Sequence, residues 1–367
     1  MDFTLSKEQQ LLRDGLGKFL GTRYDLAKSR TAAKTGPGWQ PDVWRGFADE
    51  LGILGATFPE EVGGIGGGPT ELMVISEALG HALVVEPYVG TVVVCGGLLH
   101  RAGTAASHAV LEQIVEGTAV VALADAGDGT TTAERDGDGW VLTGAKTVVL
   151  DAPLATHLLI TAQTPDGMSL FLTEFDAASP PPGMTAHCFR TIDDRRAADL
   201  LLDEVRLSGD ALLGEAGPSL ARALDEGAAA VCSEAVGCMR KVLADTVEYA
   251  KQRHQFGQPI GSFQVLQHRM VDMYIEVEQA VAAVYLAVLN LDAEPALRAR
   301  AVSAAKVTVG RAARFVGQNA VQLHGGMGMT EELAIGHYFK RLTAMQYEFG
   351  STDHHLSRYA ALTQPSR

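Results

Sequence analysis

Two short stretches concentrate the side chains able to hold an anionic, planar ligand. The first is Arg253-His254-Gln255-Phe256-Gly257-Gln258-Pro259-Ile260-Gly261-Ser262-Phe263-Gln264. A guanidinium fork matches phosphate oxygens, and a phenyl ring supplies an apolar wall for a ring system. The run is too polar for a core segment and too ordered for a linker. The second, Gln322-Leu323-His324-Gly325-Gly326-Met327-Gly328-Met329, follows about 70 residues later. The Gln322 carboxamide can hydrogen-bond, while Gly325 and Gly326 let backbone N–H groups approach an anion closely. Each stretch alone also has a plain structural explanation. Arg253 would then pair with a carboxylate on a nearby helix, and Gly325-Gly326 would merely end one.

Other chemically tempting groups read more simply. Asp353-His354-His355 has metal-ligand residue types, but adjacent helical positions point apart, so capping and interface roles are expected. Arg195-Arg196, in an acidic turn, reads as a solvated surface pair. Gly63-Gly64-Ile65-Gly66-Gly67-Gly68-Pro69 is glycine-rich, yet no strand precedes it and no Gly-Lys-Ser/Thr follows. An interhelical loop is expected there.

Three zones of different texture must position these groups. Residues 1 to about 116 read as helices. Ser6-Lys7-Glu8-Gln9 has the form of a capping box, and Leu11, Leu12, Leu16, Phe19 and Leu20 then recur at helical spacing. From 117 to 208 short apolar runs separated by Gly, Asp and Pro turns read as strands, among them Thr118–Leu123, Gly139–Gly144, His157–Ala162, Ser169–Leu172 and Asp199–Asp203. From 216 to 367 long amphipathic helices return, over Ala221–Lys251, Phe263–Leu291 and Leu297–Val321, with a short one at the end. The fold class is mainly α with a central β-domain, barrel-like or sandwiched, followed by a four-helix bundle.

Bulk properties narrow the function. The 367 residues carry a net charge of −14, so an anionic ligand must be met by a local arginine and nucleic-acid binding is not expected. No apolar run has the length of a membrane helix, and no secretory leader is visible at Met1-Asp2-Phe3-Thr4. Cys95, Cys188, Cys232 and Cys238 lack metal-ligand spacing or a disulfide framework, which suits a reducing cytoplasm. Cys232 and Cys238 are expected to be buried.

The helical, β, helical order resembles the acyl-CoA dehydrogenase family across nearly the whole chain. The matching elements are Arg-x-x-Phe-Gly at Arg253–Gly257, Gln-x-x-Gly-Gly at Gln322–Gly326, and Pro59-Glu60-Glu61-Val62-Gly63-Gly64. Within the family the likeness is closest to the small-subunit type of pimeloyl-CoA dehydrogenase, through His337–Thr343 and Phe349–Leu356. The resemblance implies a tetramer holding FAD across a subunit interface. It implies cofactor contacts from Arg253, Gln255, Phe256, Ile260, Phe263, Gln322 and Gly326. It also implies oxidation of an acyl-CoA to the trans-2-enoyl-CoA, with electron-transferring flavoprotein as oxidant. His337-Tyr338-Phe339-Lys340-Arg341 could meet CoA phosphates, but a packing and intersubunit role is favoured.

The chain departs from the family on the catalytic side. The family base is a Glu in a Glu-Gly-Thr/Ser turn. Here the turn reads Tyr347-Glu348-Phe349-Gly350-Ser351-Thr352, and a gap-free match puts Phe349 at the base position. Glu348 lies one residue early, about 100° away on a helix, unless an insertion beside Phe349 restores it. The family's alternative position falls on Gly227, with Glu226 again one residue early and Ala228 where an Arg is frequent. The loop packing on flavin is shortened to Leu123-Ala124-Asp125-Ala126-Gly127-Asp128-Gly129, and Val148-Val149-Leu150 replaces the family's Trp-x-Ser/Thr. Three readings follow. The chain is a subunit whose flavin-side and catalytic residues come from a second acyl-CoA dehydrogenase-like chain, or a self-sufficient homo-oligomer using Glu348, or a non-catalytic subunit.

Overall fold

The computed structural model describes residues 4–125 and 131–364. Ala126–Gly129 of the shortened loop, and Met1–Phe3 at the start, lie outside the described residues. The chain divides into two compact units. One comprises Met1–Tyr24, Pro69–Val84 and Ala228–Arg367, the other Asp25–Gly68 and Val85–Gly227.

Helix α1 (Lys7–Arg23) starts where the capping box predicts. Ser6 Oγ accepts from Gln9 N–H at 3.2 Å, and Gln9 Oε1 accepts from Ser6 N–H at 2.9 Å. Leu16, Phe19 and Leu20 face the core, whereas Leu11 is exposed. Then come α2 (Leu26–Thr35), α3 (Pro41–Asp49) and α4 (Pro69–His81). The glycine loop before α4 spends its backbone donors locally: Ile65, Gly66 and Gly67 N–H go to the carbonyls of Gly55, Phe58 and Ala56. These donors are satisfied inside the loop, so it is not a phosphate cradle. A π-helical stretch over Tyr88–Gly96 leads to α5 (Gly97–Ala102) and α6 (Ala105–Val115).

The middle of the chain is a sheet of β1 (Val121–Ala124), β2 (Thr132–Asp136), β3 (Gly139–Leu150), β4 (His157–Thr164), β5 (Gly167–Glu174), β6 (Met184–Arg190), β7 (Arg196–Leu207) and β8 (Leu212–Glu215). The strand order is β6-β7-β3-β2-β4-β5-β8, with β1 added parallel to β4. The long β3–β7 pair slips register between Lys146 and Val149, a bulge that lifts Val148 out of the ladder.

Arg195 and Arg196 are not a solvated pair. Arg195 is buried 3.8 Å from Asp193, and the Arg196 Nη2–H donates to Gly36 O at 2.9 Å. Nearby acids permit the burial. Asp193 is itself buried, and Arg195 also acts on buried Glu86, whose pKa burial raises to about 7.

The C-terminal part consists of α7 (Gly217–Gln252), a hairpin of β9 (His254–Gln255) and β10 (Gln258–Pro259), then α8 (Gln264–Val288), α9 (Pro295–His324), α10 (Ile335–Ala344) and α11 (Thr352–Thr363). Within the first unit α4 and α7 touch backbone to backbone. A Cβ on Gly80 would sit 2.0 Å from Glu234 O, and one on Gly237 2.0 Å from Glu77 O, so only glycine permits the crossing. Along α8, Val265, Val271, Tyr274, Ile275 and Leu286 are exposed, as is Leu289 at its C-cap. The fold class read from the sequence, helical ends around a central β-domain, is the one observed. None of the four cysteines forms a disulfide; Cys232 and Cys238 are buried, and the Cys238 thiol donates to Gly80 O at 3.1 Å. Among the described residues no helix is long and apolar enough to cross a membrane, and no group of acidic, His or Cys side chains could hold a metal.

Candidate cofactor site and the base turn

Helix α7 ends by handing its last carbonyls to the loop that follows: Arg253 N–H donates to Tyr249 O at 2.8 Å. The chain then reverses through the β9–β10 hairpin, pairing Gln255 with Gln258 and His254 with Pro259. Its two loop residues, Phe256 and Gly257, have φ of 55° and 81°. Two successive positive φ values fit a type I′ turn, which favours Asn-Gly or Gly-Gly. A Phe there is costly, and it stands 91% exposed. Phe263 meets it edge-on with centroids 6.2 Å apart, and Ile260 N–H closes the loop onto Arg253 O at 2.8 Å. Arg253 and Gln255 are exposed, while Ile260 and Phe263 are half-buried. Among the described residues Arg253 makes no ion pair, so pairing with a carboxylate does not explain it.

The second motif closes α9. Gly325 N–H donates to Gln322 O, and Gly325 takes φ of 60°. Gln322 is exposed, and a Cβ added at Gly325 or Gly326 would meet nothing within 4 Å. The space that a side chain would occupy at these two glycines is open. The His324 ring stacks on Tyr249 with centroids 4.3 Å apart and planes 26° apart. That contact brings the Arg253 hairpin and the Gly325-Gly326 turn to one end of α7 and α9. Neither Tyr249 nor His324 stood out in the sequence, although each adjoins a motif.

The turn carrying the base position is built differently. Arg341, on α10, is 3% exposed and forks between two carboxylates. Its Nε–H and Nη2–H reach Glu234 Oε1 and Oε2 at 2.9 and 3.0 Å. Its Nη1–H and Nη2–H also hold the Glu348 carboxylate, Nη2 at 3.1 Å from Oε2. Lys306, on α9, donates to Met345 O at 2.9 Å and Glu348 O at 2.6 Å. Burial pushes the Lys306 pKa down, partly opposed by Cys232 and Glu348. Both oxygens of Glu348 thus face a buried guanidinium. Glu226 is held the same way, by Arg101 Nη1 at 3.0 Å and Arg222 Nε at 2.8 Å. The segment His337–Arg341 faces inward, with Tyr338 Oη donating to His81 O at 2.5 Å.

Phe349 follows Glu348 with φ of 56° and is fixed through its carbonyl, which accepts from His355 Nε2 at 2.8 Å. His355 Nδ1 lies 3.2 Å from Ser303 Oγ, and Ser351 Oγ caps α11 by accepting from His354 N–H. Desolvation is the main cause that takes the His355 pKa from 6.5 to about 4; Lys306, His354 and Arg358 add to it, and the Phe349 hydrogen bond opposes it. A depressed folded pKa means that the unfolded chain takes up the proton first. The stability tied to burying the neutral His355 ring is therefore full above about pH 6.5 and lost as pH falls towards 4. Thermal melting should show this decline in the wild-type chain and a smaller slope in His355→Asn.

In the β-domain, Val148 is 52% exposed with φ of 52°, its N–H donating to Asp199 Oδ1 at 2.7 Å. Leu150 is half-buried. Neither side chain offers a stacking indole or a hydroxyl. Nearby, buried Lys146 donates to Thr161 Oγ1 at 3.1 Å, and Thr161 donates to Asp125 Oδ1 at 2.8 Å.

A sheet set between helical segments, an exposed Arg-Phe hairpin and an open Gly-Gly helix end define a flavin-dependent dehydrogenase fold. The chain belongs to the acyl-CoA dehydrogenase family: residues 6–118 match the family's N-terminal domain and residues 218–362 its C-terminal domain. FAD is the cofactor of this fold. An exposed guanidinium at Arg253 without an ion pair among the described residues, and a helix end with room at Gly325 and Gly326, have the chemistry that suits an anionic group such as a pyrophosphate. Among curated proteins, acyl-CoA dehydrogenase IpdE2 of Mycolicibacterium smegmatis is 30% identical over 357 residues, covering 97% of this chain and 99% of the relative. Among solved structures, the ChsE4-ChsE5 complex from Mycobacterium tuberculosis superposes with a TM-score of 0.92 at 27% identity, covering 100% of both chains. A variant of the Tcur3481-Tcur3483 steroid ACAD gives 0.88 at 29% identity, covering 98% of each.

Proposed function

We propose that this chain is one subunit of a hetero-oligomeric, FAD-dependent acyl-CoA dehydrogenase, a tetramer with a second acyl-CoA dehydrogenase-like chain. The observation that carries this reading is the pairing of Glu348 with buried Arg341. The nearest carboxylate to the family's base position is committed to an ion-pair cluster, and Phe349 occupies the position itself. The base and the surroundings of the isoalloxazine ring come from the partner chain. This chain contributes the pyrophosphate and adenosine contacts. Arg253 offers its guanidinium to phosphate oxygens, and the turn after α9 offers the backbone at Gly326, the Gly325 N–H being used to cap the helix. Gln322 and Gln255 hydrogen-bond, while Phe256, Phe263 and Ile260 wall the adenosine. Held there, FAD would supply the hydride acceptor for oxidation of an acyl-CoA at its β-carbon, and a base of the partner chain would take the α-proton, giving the trans-2-enoyl-CoA.

The two solved neighbours, the ChsE4-ChsE5 complex and the Tcur3481-Tcur3483 steroid ACAD, each join two proteins and support the two-chain reading, as does the exposed apolar stripe on α8. The steroid ACAD among them makes a steroid side-chain CoA ester the first substrate to test; pimeloyl-CoA and other dicarboxylyl or branched esters come next. The small-subunit type of pimeloyl-CoA dehydrogenase remains the closest functional analogue within this proposal. We place the domains at 1–116, 117–208 and 216–367, electron-transferring flavoprotein as oxidant, and the enzyme in a reducing cytoplasm, in keeping with four cysteines that form no disulfide.

The test is purification of the chain alone and after coexpression with a second acyl-CoA dehydrogenase-like chain encoded beside it. Flavin absorbance and bleaching by acyl-CoA should appear only in the coexpressed complex. Flavin and bleaching in the chain alone would establish the self-sufficient homo-oligomer instead. A complex that binds no flavin would leave only an assembly role.

A further inference from the structure

We infer that Tyr249 and His324 form a positioning pin that sets the distance between the two cofactor-contacting motifs. This rests on the FAD reading above. The pin is built from both sides. Tyr249 lies on α7 and its carbonyl accepts the Arg253 N–H at 2.8 Å, so the position of Tyr249 sets the root of the hairpin. His324 is the last residue of α9 and immediately precedes Gly325. Its Nδ1 lies 2.8 Å from Ala320 O, which makes Nδ1 the protonated nitrogen and fixes the ring against its own helix. The two rings stack at 4.3 Å, and Tyr249 Oη donates to His324 O at 3.4 Å.

The geometry matters because a pyrophosphate has a fixed length. A guanidinium on one loop and amide donors on another grip it together only when their separation matches. Both motifs sit on exposed connections, and the Tyr249–His324 contact ties the root of one to the root of the other. His324 is buried and Tyr249 half-buried, yet the residues they orient, Arg253, Gln322 and Gly326, are exposed. The pin acts through those residues and does not touch the reacting atoms.

The experiment uses the flavin-containing assembly of the full chain, stripped of FAD and titrated with it. Tyr249→Leu is expected to raise the FAD dissociation constant about tenfold. Tyr249→Phe, which keeps the stack, should stay within about twofold. At saturating FAD both variants should show wild-type kcat and wild-type KM for the acyl-CoA, which general damage to the fold would not allow. His324→Asn keeps a donor for Ala320 O but lacks the ring; it should match Tyr249→Leu and replaces it if that variant does not assemble. Wild-type FAD affinity in Tyr249→Leu and His324→Asn overturns the inference, as does a Tyr249→Phe loss equal to that of Tyr249→Leu. Arg253→Ala is the control. If it too keeps wild-type affinity, the FAD reading itself has failed; if it alone loses affinity, only the pin is wrong.

Discussion

Replacing Arg341 with methionine is expected to destabilise the chain by about 3–5 kcal/mol, enough to remove much of the margin of a typical domain. Methionine approximates the length of the side chain but deprives the Glu234 and Glu348 carboxylates of the guanidinium they share, in a site where Arg341 is 3% exposed. Urea unfolding measures the loss directly. The companion variant Glu348→Gln separates structure from chemistry. Glu234 still compensates Arg341, so a smaller loss of about 1–3 kcal/mol is expected. Turnover of the assembled enzyme should be unchanged within about twofold, since a residue outside the chemistry alters no transition-state contact. A fall in kcat of several orders of magnitude would return Glu348 to the role of base.

The second large effect lies at the hairpin. Arg253→Ala should weaken FAD binding about 10- to 100-fold, the range given by losing charge-assisted hydrogen bonds of about 1.5–3 kcal/mol. Stability should move by less than about 0.5 kcal/mol, because the side chain is exposed and has no ion-pair partner. Phe256→Asn should separate the two quantities further. Asparagine suits the positive φ of 55° that phenylalanine tolerates poorly, so the apo chain should gain a few tenths of a kcal/mol or more. FAD affinity should nevertheless fall with the loss of the ring. Equal FAD titrations for wild type and both variants would rule out a cofactor role for the hairpin.

The helices were the most legible part of the sequence, because a capped start such as Ser6 to Gln9 and a 3.6-residue apolar period are local signals. Helix α7 was anticipated over Ala221–Lys251 and observed over Gly217–Gln252. Strands β2 and β6 were not among those named in advance. Each buries a single side chain, Ala133 and Met184, so neither shows a clear alternation. The π-helical stretch Tyr88–Gly96 is apolar throughout and carries no periodic mark of its hydrogen-bond register. Arg195 was misread because the acids that accompany it underground are set by folding, not by spacing.

The two candidate cofactor motifs stand out because their residue types are unusual for a loop. The fate of Glu348 does not, although its partner lies only seven positions back. Arg341 on α10 reads as one basic residue in a mixed segment. Its role emerges only when Glu234, 107 residues earlier, is brought to the same guanidinium. Tyr249 and His324 likewise look like ordinary helix-end aromatics until their rings are seen stacked.

The exposed row on α8, together with Phe256 at the hairpin tip, has a consequence for the cell as well as for the enzyme. Under the two-chain reading, a polypeptide made in excess of its counterpart keeps Val265, Val271, Tyr274 and Ile275 in contact with water. Such orphans aggregate or are degraded, so the amount of this protein is governed by the gene dosage and translation of the other. Balanced synthesis of the two chains is then a requirement written into the surface of one helix.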